Sequence, residues 1–181
     1  MNYAHKNIRR PGRQYVGTHR YFLTMCCAER RPVLSEPANA RWLIEELREK
    51  CERYLFAVEA YCVMPDHFHV LLRGLEEESD LLAFVKAFKQ ATGYEFQKKF
   101  QCALWQKKFH DHILRTGESA EGVAGYIWAN PVRKGICNDP REYAFSGSLV
   151  HAWKELISPK VFWEPPWKSG ADESQTKATS K

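Results

Sequence analysis

The sequence predicts an α+β fold of the split βαβ, ferredoxin-like kind: a four-stranded antiparallel sheet with helices on one face, plus an additional tyrosine-bearing helix and a C-terminal extension. Segments with strand and helix patterning follow one another as strand–helix–strand–strand–helix–strand. The middle two strands are joined only by Met64-Pro65-Asp66, which makes residues 55–73 a hairpin. Hydrophobic residues make up 44%, aromatics 13% and charged residues 27% of 181 residues. That balance suits one globular domain with an appendage and excludes a disordered or collagen-like chain.

Residues 19–27, HRYFLTMCC, are aromatic and apolar with little charge, as a strand requires. In 37–53 the residues Trp42, Leu43, Leu47 and Cys51 recur at three-to-four spacing behind Pro37, which suits a first helical turn. Residues 55–63 form the second strand. Proline then fixes its own φ and restricts Met64, making the turn, and 67–73 form the third strand. The second helix, 79–99, is expected to bury Leu82, Val85, Phe88 and Ala91. Residues 109–115 form the fourth strand. A third helix spans 118–134, ended or kinked by Asn130-Pro131, and a further helix lies near 146–156. Residues 1–15 read as a basic arm, 16–136 as the main domain, 137–167 as the extension and 168–181 as a tail of disordered composition.

No apolar run approaches the roughly 18 residues that span a bilayer, and no signal peptide opens the chain, so a cytoplasmic, nucleoid-associated protein with no membrane partner is expected. The six cysteines form no CxxC pair; they are expected to be reduced and mostly buried. The net charge is +5, and the bases are segregated. Residues 1–31 hold Lys6, Arg9, Arg10, Arg13, Arg20, Arg30 and Arg31 against Glu29; 98–115 hold Lys98, Lys99, Lys107, Lys108 and Arg115 against Asp111. Aromatics lie among them. The pattern fits a nucleic-acid surface or, equally, a solvated basic face.

Chemistry concentrates in two segments. In MPDHFHVLL, Phe68, Val70 and Leu72 point to the helices, which sets His67 and His69 side by side on the other face. Two imidazoles at i and i+2 can ligate one divalent cation. In GYIWANPVRKG, Tyr126 and Asn130 share a helix face. A tyrosine hydroxyl can act as a nucleophile, an amide oxygen can ligate the cation, and Arg133 and Lys134 can hold phosphates. The alternative is that Tyr126 packs under the sheet and Asn130 merely breaks the helix. His110-Asp111-His112 is a second HxH, for which support of the fold or of a nucleic acid outweighs ligation, with Asp111 a candidate partner for a ligating imidazole. Arg9, Arg10 and Arg13 on the arm, and Lys86, Lys89 and Arg115, are candidate contacts to a nucleic-acid strand. Trp105 and Phe109 could stack on bases or fill the core.

With MPDHFHVLL, LWQKKFHDHILR at 104–115 and YIWANPVRKG at 126–135 in this order, the chain resembles the REP-associated tyrosine transposases, members of the single-tyrosine HUH transposases of the insertion-sequence-200-like group. The resemblance spans roughly 15–150 and includes EYAFSGS at 142–148. It implies that 16–136 is an HUH catalytic domain, that Tyr126 is the nucleophile, and that His67, His69 and Asn130 hold Mg²⁺ or Mn²⁺. It also implies a substrate: single-stranded DNA carrying a palindromic REP-like hairpin, cut through a 5′-phosphotyrosine intermediate. A monomer is expected over a dimer. The competing reading is a non-catalytic single-stranded nucleic-acid-binding module on the same fold. Such modules place aromatics on the open sheet face, where this chain carries histidines.

Overall fold

The computed structural model describes residues 15–157. Arg9, Arg10, Arg13 and the aromatic-proline stretch at 161–167 lie outside the described residues. The elements are β1 (Arg20–Cys26), α1 (Pro37–Arg53), β2 (Phe56–Met64), β3 (His67–Gly74), α2 (Leu81–Phe100), β4 (His110–Ile113), α3 (Ala120–Trp128), α4 (Asn130–Arg133), β5 (Ser146–Gly147) and α5 (Trp153–Leu156). The sheet is antiparallel with strand order β4-β1-β3-β2-β5. Its first four strands have the expected split βαβ order.

The fifth strand corrects the expected helix at 146–156, of which only Trp153–Leu156 is helical. Ser146 and Gly147 pair with Cys62 and Tyr61, and hydrogen bonds from Val63 N to Phe145 O (2.9 Å) and from Leu149 N to Val58 O (3.0 Å) flank them. A two-residue strand has no periodicity of its own. It forms because β2 would otherwise expose an unpaired edge.

The core has two layers, one on each face of the sheet. Tyr21, Leu23 and Met25 of β1 and Phe68, Val70 and Leu72 of β3 are buried with Leu43, Leu47 and Cys51 of α1 and Phe84, Val85 and Phe88 of α2. Each large side chain so buried contributes about 1.5–3 kcal/mol. Trp42 lies only partly buried at the edge. The buried stripe of α2 is Leu81, Phe84, Val85, Phe88, Thr92 and Phe96, turned from the expected one, with Leu82 and Ala91 half-buried. Apolar residues at 81, 82, 84 and 85 allow two overlapping stripes, and the one carrying Phe84 and Phe96 buries more surface. Asp80 caps α2 by accepting from Ala83 N at 3.0 Å.

The segment between α2 and β4 is tied to α2. Trp105 Nε1 donates to Thr92 Oγ1 at 2.8 Å, and Lys89 Nζ donates to the carbonyls of Gln106 (2.7 Å) and Lys107 (3.1 Å). Trp105 and Phe109 are therefore core residues. On the opposite face of the sheet, α3 lies across Phe22, Ala60, Cys62 and Leu71 and buries Val123, Tyr126, Ile127 and Trp128. Tyr15, assigned to the arm, is also buried. At the end of β3, Gly74 lets the main chain of Gly17 pass; a Cβ there would overlap the Gly17 carbonyl.

Cys27, Cys51 and Cys62 are buried free thiols, and Cys26, Cys102 and Cys137 are half-buried. Burial pushes Cys27 and Cys62 up to about 12. No helix among the described residues is long and apolar enough to cross a membrane.

Candidate active site

The hairpin turn sets His67 at the first position of β3, and alternation does the rest. His67 and His69 fall on the α3 side of the sheet, with Phe68 and Val70 between and beyond them facing α1 and α2. Their direct neighbours on β1 are Cys26 and Thr24. The two imidazoles meet edge to face, with centroids 4.6 Å apart, and both are more than nine-tenths buried. This face is covered by α3 rather than open.

Each ring is held at Nδ1. His67 Nδ1 donates to Asp66 Oδ1 at 2.5 Å, and His69 Nδ1 shares a 2.8 Å hydrogen bond with Thr24 Oγ1. Nδ1 is thus the edge anchored to the protein, and Nε2 is the edge by which a ring so anchored ligates metal. Asp66 is itself gripped by Arg30, whose Nη1 lies 3.2 Å from Oδ2. Burial would raise the Asp66 carboxyl, but the His67 hydrogen bond and the His67 and Arg30 charges outweigh it and hold the group below its ordinary value. Burial pulls His67 below the ordinary imidazole value against the upward pull of Asp66, with Arg30 and Lys134 adding to the lowering. The neutral, metal-competent imidazole is the favoured form.

Tyr126 comes to this pair from α3. Ser119 starts the helix by accepting from Gly122 N at 3.1 Å. The phenol ring is buried edge-on against Phe22 (6.1 Å between centroids) and His69 (6.4 Å). The Arg133 guanidinium lies 4.0 Å over the ring centroid, and its Nη2 donates to Tyr126 O at 2.9 Å. A cation therefore sits on the tyrosine face. Pro131 cannot donate to Ile127 O, and Asn130 Nδ2 covers for it, donating to Tyr126 O (3.0 Å) and Ile127 O (3.1 Å). The helix-ending role of Asn130 thus uses its nitrogen, and the amide oxygen is the atom suited to ligation. Lys134 closes α4, exposed, with its charge felt at His67.

The second HxH resolves by register. Thr24 is the β1 neighbour of both His69 and His110, and His112 pairs with Phe22, so both histidines of β4 share the α3 face. His112 Nε2 is bound by both Glu118 carboxylate oxygens at 2.9 Å. Asp111 pairs with Leu23 on the other face and accepts from Tyr15 Oη at 2.7 Å. The expectation that Asp111 partners the His67–His69 pair is therefore overturned; the hydrogen bonds to those rings come from Asp66 and Thr24. Lys86 and Lys89 belong to α2 on the face away from the histidines, Lys86 exposed and Lys89 bound to backbone carbonyls. They do not line this site. Arg115 is exposed just beyond β4.

Two imidazoles alone underfill the coordination sphere of a hard divalent cation, so the Asn130 amide oxygen would have to join them. Among the described residues no three His, Cys, Asp or Glu side chains gather to hold an ion. Two imidazoles and one amide oxygen leave room for water and phosphate oxygens, which Mg²⁺ and Mn²⁺ prefer.

A family model described as Transposase IS200 like matches residues 15–130. A Haemophilus influenzae protein bearing the name REP-associated tyrosine transposase is 26% identical over 138 residues, 70% of this chain and 77% of the relative. The REP-associated tyrosine transposase of Escherichia coli is 25% identical over 138 residues, 74% of this chain and 79% of the relative. A solved REP-associated tyrosine transposase bound to a REP hairpin superposes with a TM-score of 0.67 at 20% identity, covering 88% of this chain and 92% of that one, a likeness of fold.

Proposed function

This chain belongs to the IS200-like transposase family, and from that premise we propose that it cuts and rejoins single-stranded DNA beside a palindromic hairpin. Tyr126 is the nucleophile, and His67, His69 and Asn130 hold Mg²⁺ or Mn²⁺. The observation that carries the reading is the meeting of Tyr126 and His69 across the α3 side of the sheet, beside a second imidazole anchored in the same way. A bound divalent ion would supply charge neutralisation at the scissile phosphate. The chain's own residues do the rest. Asp66 and Thr24 fix the imidazole orientations, the Arg133 guanidinium holds the Tyr126 ring from one face, and Lys134 can grip a phosphate oxygen.

Attack by the Tyr126 oxygen on phosphorus breaks the bond to the 3′ oxygen of the preceding nucleotide. It leaves a 5′-phosphotyrosine and a free 3′-hydroxyl. One phosphodiester is exchanged for another, so rejoining to a new 3′ end needs no nucleotide cofactor. A monomer suffices for the chemistry, since Tyr126 meets His69 of its own chain. The relative solved with a REP hairpin supports a hairpin of that kind as the partner.

The test is a labelled single-stranded hairpin oligonucleotide with flanking sequence, incubated with Mg²⁺ or Mn²⁺ and resolved on a denaturing gel. Wild type should give a covalent protein–DNA band that Tyr126→Phe and His67→Ala lack. Hairpin binding with no band under either metal would leave a binding module in place of an enzyme.

A further inference from the structure

Across α3 from Tyr126 lies a second, differently built cavity of about 680 Å³. Its floor is an ion triad made possible by an irregularity of β2. The pairing register with β3 shifts between Val58 and Ala60, a bulge that leaves Glu59 out of step. Glu59 is buried, and its two oxygens accept from Arg20 Nε and Arg73 Nε, each at 2.9 Å. Arg20 and Arg73 are cross-strand neighbours on β1 and β3, with side chains 44% and 37% exposed. Because each donates to Glu59 through Nε, the Nη1/Nη2 fork of each guanidinium is left for another partner. Among the described residues neither fork has one.

The wall is the flank of α3 formed by Ala120, Ala124 and Trp128, and the exposed Glu121 and Glu155 put carboxylates at the margin. At 3.6 residues per turn, Tyr126 lies about 160° round the helix from Ala124 and Trp128. The helix thus divides one sheet face between two sites. Arg73 is four residues along β3 from His69, about 13 Å at strand rise, within the span of a few nucleotides.

Two carboxylates at the rim disfavour a phosphate. A nucleobase edge, which offers acceptors and donors together, suits the mixture. An arginine fork matches the O6 and N7 acceptors of guanine, and carboxylates accept from its ring N–H and amino group. We propose that this cavity takes a guanine base from the same DNA strand that is cut at Tyr126, so that the chain reads a base of its substrate by its own side chains. The proposal rests on the strand-transfer reading above.

The experiment uses Tyr126→Phe protein in EDTA, so that binding is separated from strand chemistry. The probes are labelled oligothymidylates carrying one central guanine, inosine, 7-deazaguanine or thymine, followed by fluorescence anisotropy. The single guanine should tighten binding roughly 5- to 100-fold over all-thymine. Inosine (no 2-amino group) and 7-deazaguanine (no N7) should each lose part of the gain. Adding Ala120→Leu, which narrows the cavity and leaves the triad intact, should erase the preference. Adding Glu121→Gln, at an exposed position, should shrink the gap between guanine and inosine. Equal binding of all probes, or a guanine preference that survives Ala120→Leu, overturns the proposal. A covalent band in the earlier assay with no guanine preference here removes the base pocket alone; the converse removes strand transfer alone.

Discussion

Strand β3 carries both faces of the sheet within eight residues, and the two faces are put to opposite uses. Toward α1 and α2 it presents Phe68, Val70 and Leu72, all fully buried in apolar contact. Toward α3 it presents His67, His69, Leu71 and Arg73, where only Leu71 belongs to a hydrophobic cluster. Three of the four positions on that side are polar groups whose neighbours are polar: Asp66, Thr24 and Glu59. A period of two lets one strand supply cohesion through alternate residues and chemistry through the others. Substitutions one residue apart should therefore fail in different ways.

The largest effect is expected on the chemical side. His69→Ala should remove the covalent adduct and slow strand transfer at least about 1000-fold, in line with loss of several kcal/mol of metal assistance. Its thermal midpoint should stay within a few degrees of wild type, and a collapse of the midpoint would break the distinction. Next is Phe68→Ala, expected to cost about 3–5 kcal/mol in urea unfolding, because it empties a fully buried site against Phe88. The fraction still folded should form adduct at the wild-type rate. Asp66→Asn should weaken Mn²⁺ binding by about 10- to 100-fold in calorimetry, the usual cost of losing the partner that orients a ligating imidazole. Smaller again is Thr92→Val, on the α1/α2 side. It strands the Trp105 indole N–H and should cost about 1–2 kcal/mol without touching adduct formation.

The smallest expected effect is a pH dependence. His67 has a folded pKa below its unfolded value near 6.5. The folded state then binds fewer protons, and stability falls as pH drops through the unfolded value toward the folded one. Asp66 pulls His67 upward, so Asp66→Asn should widen the difference in thermal midpoint between pH 7.5 and 5.5. A narrower difference would mean that Asp66 does not govern His67.

What could be read from the sequence follows the same division. The phase of β3 was legible because Phe68, Val70 and Leu72 mark the buried side, and that alone placed the histidine pair. Helix α1 was legible end to end from its spacing and its N-terminal proline. The side on which Asp111 falls was not, since all four residues of β4 are half-buried. Only its register with β1 decides. Thr24 is 45 residues from His69 and becomes its partner through that same pairing. Asp66 carried a signal, a carboxylate directly before the first histidine, but as part of the turn it read as a turn former. Lys89, a candidate nucleic-acid contact by sequence, is occupied by carbonyls that a loop 17 residues away brings to it. The arginine–glutamate triad depends on a bulge, and a one-residue slip of pairing leaves no mark in a pattern of period two.

The break between α3 and α4 has a consequence for the polarity of the site. An asparagine amide can turn over, exchanging its donor end for its acceptor end at almost no intrinsic cost. Here the backbone withholds one N–H at Pro131, and the carbonyl of Ile127 accepts a hydrogen bond from the side-chain amide instead. That obligation decides which way round the amide sits. Were residue 131 able to donate, Asn130 would be held by the Tyr126 carbonyl alone rather than by two carbonyls, and the turned amide would compete better. The proline thus acts as a second latch on the orientation of the neighbouring side chain, and a missing hydrogen bond in the main chain helps to keep an amide oxygen facing one way.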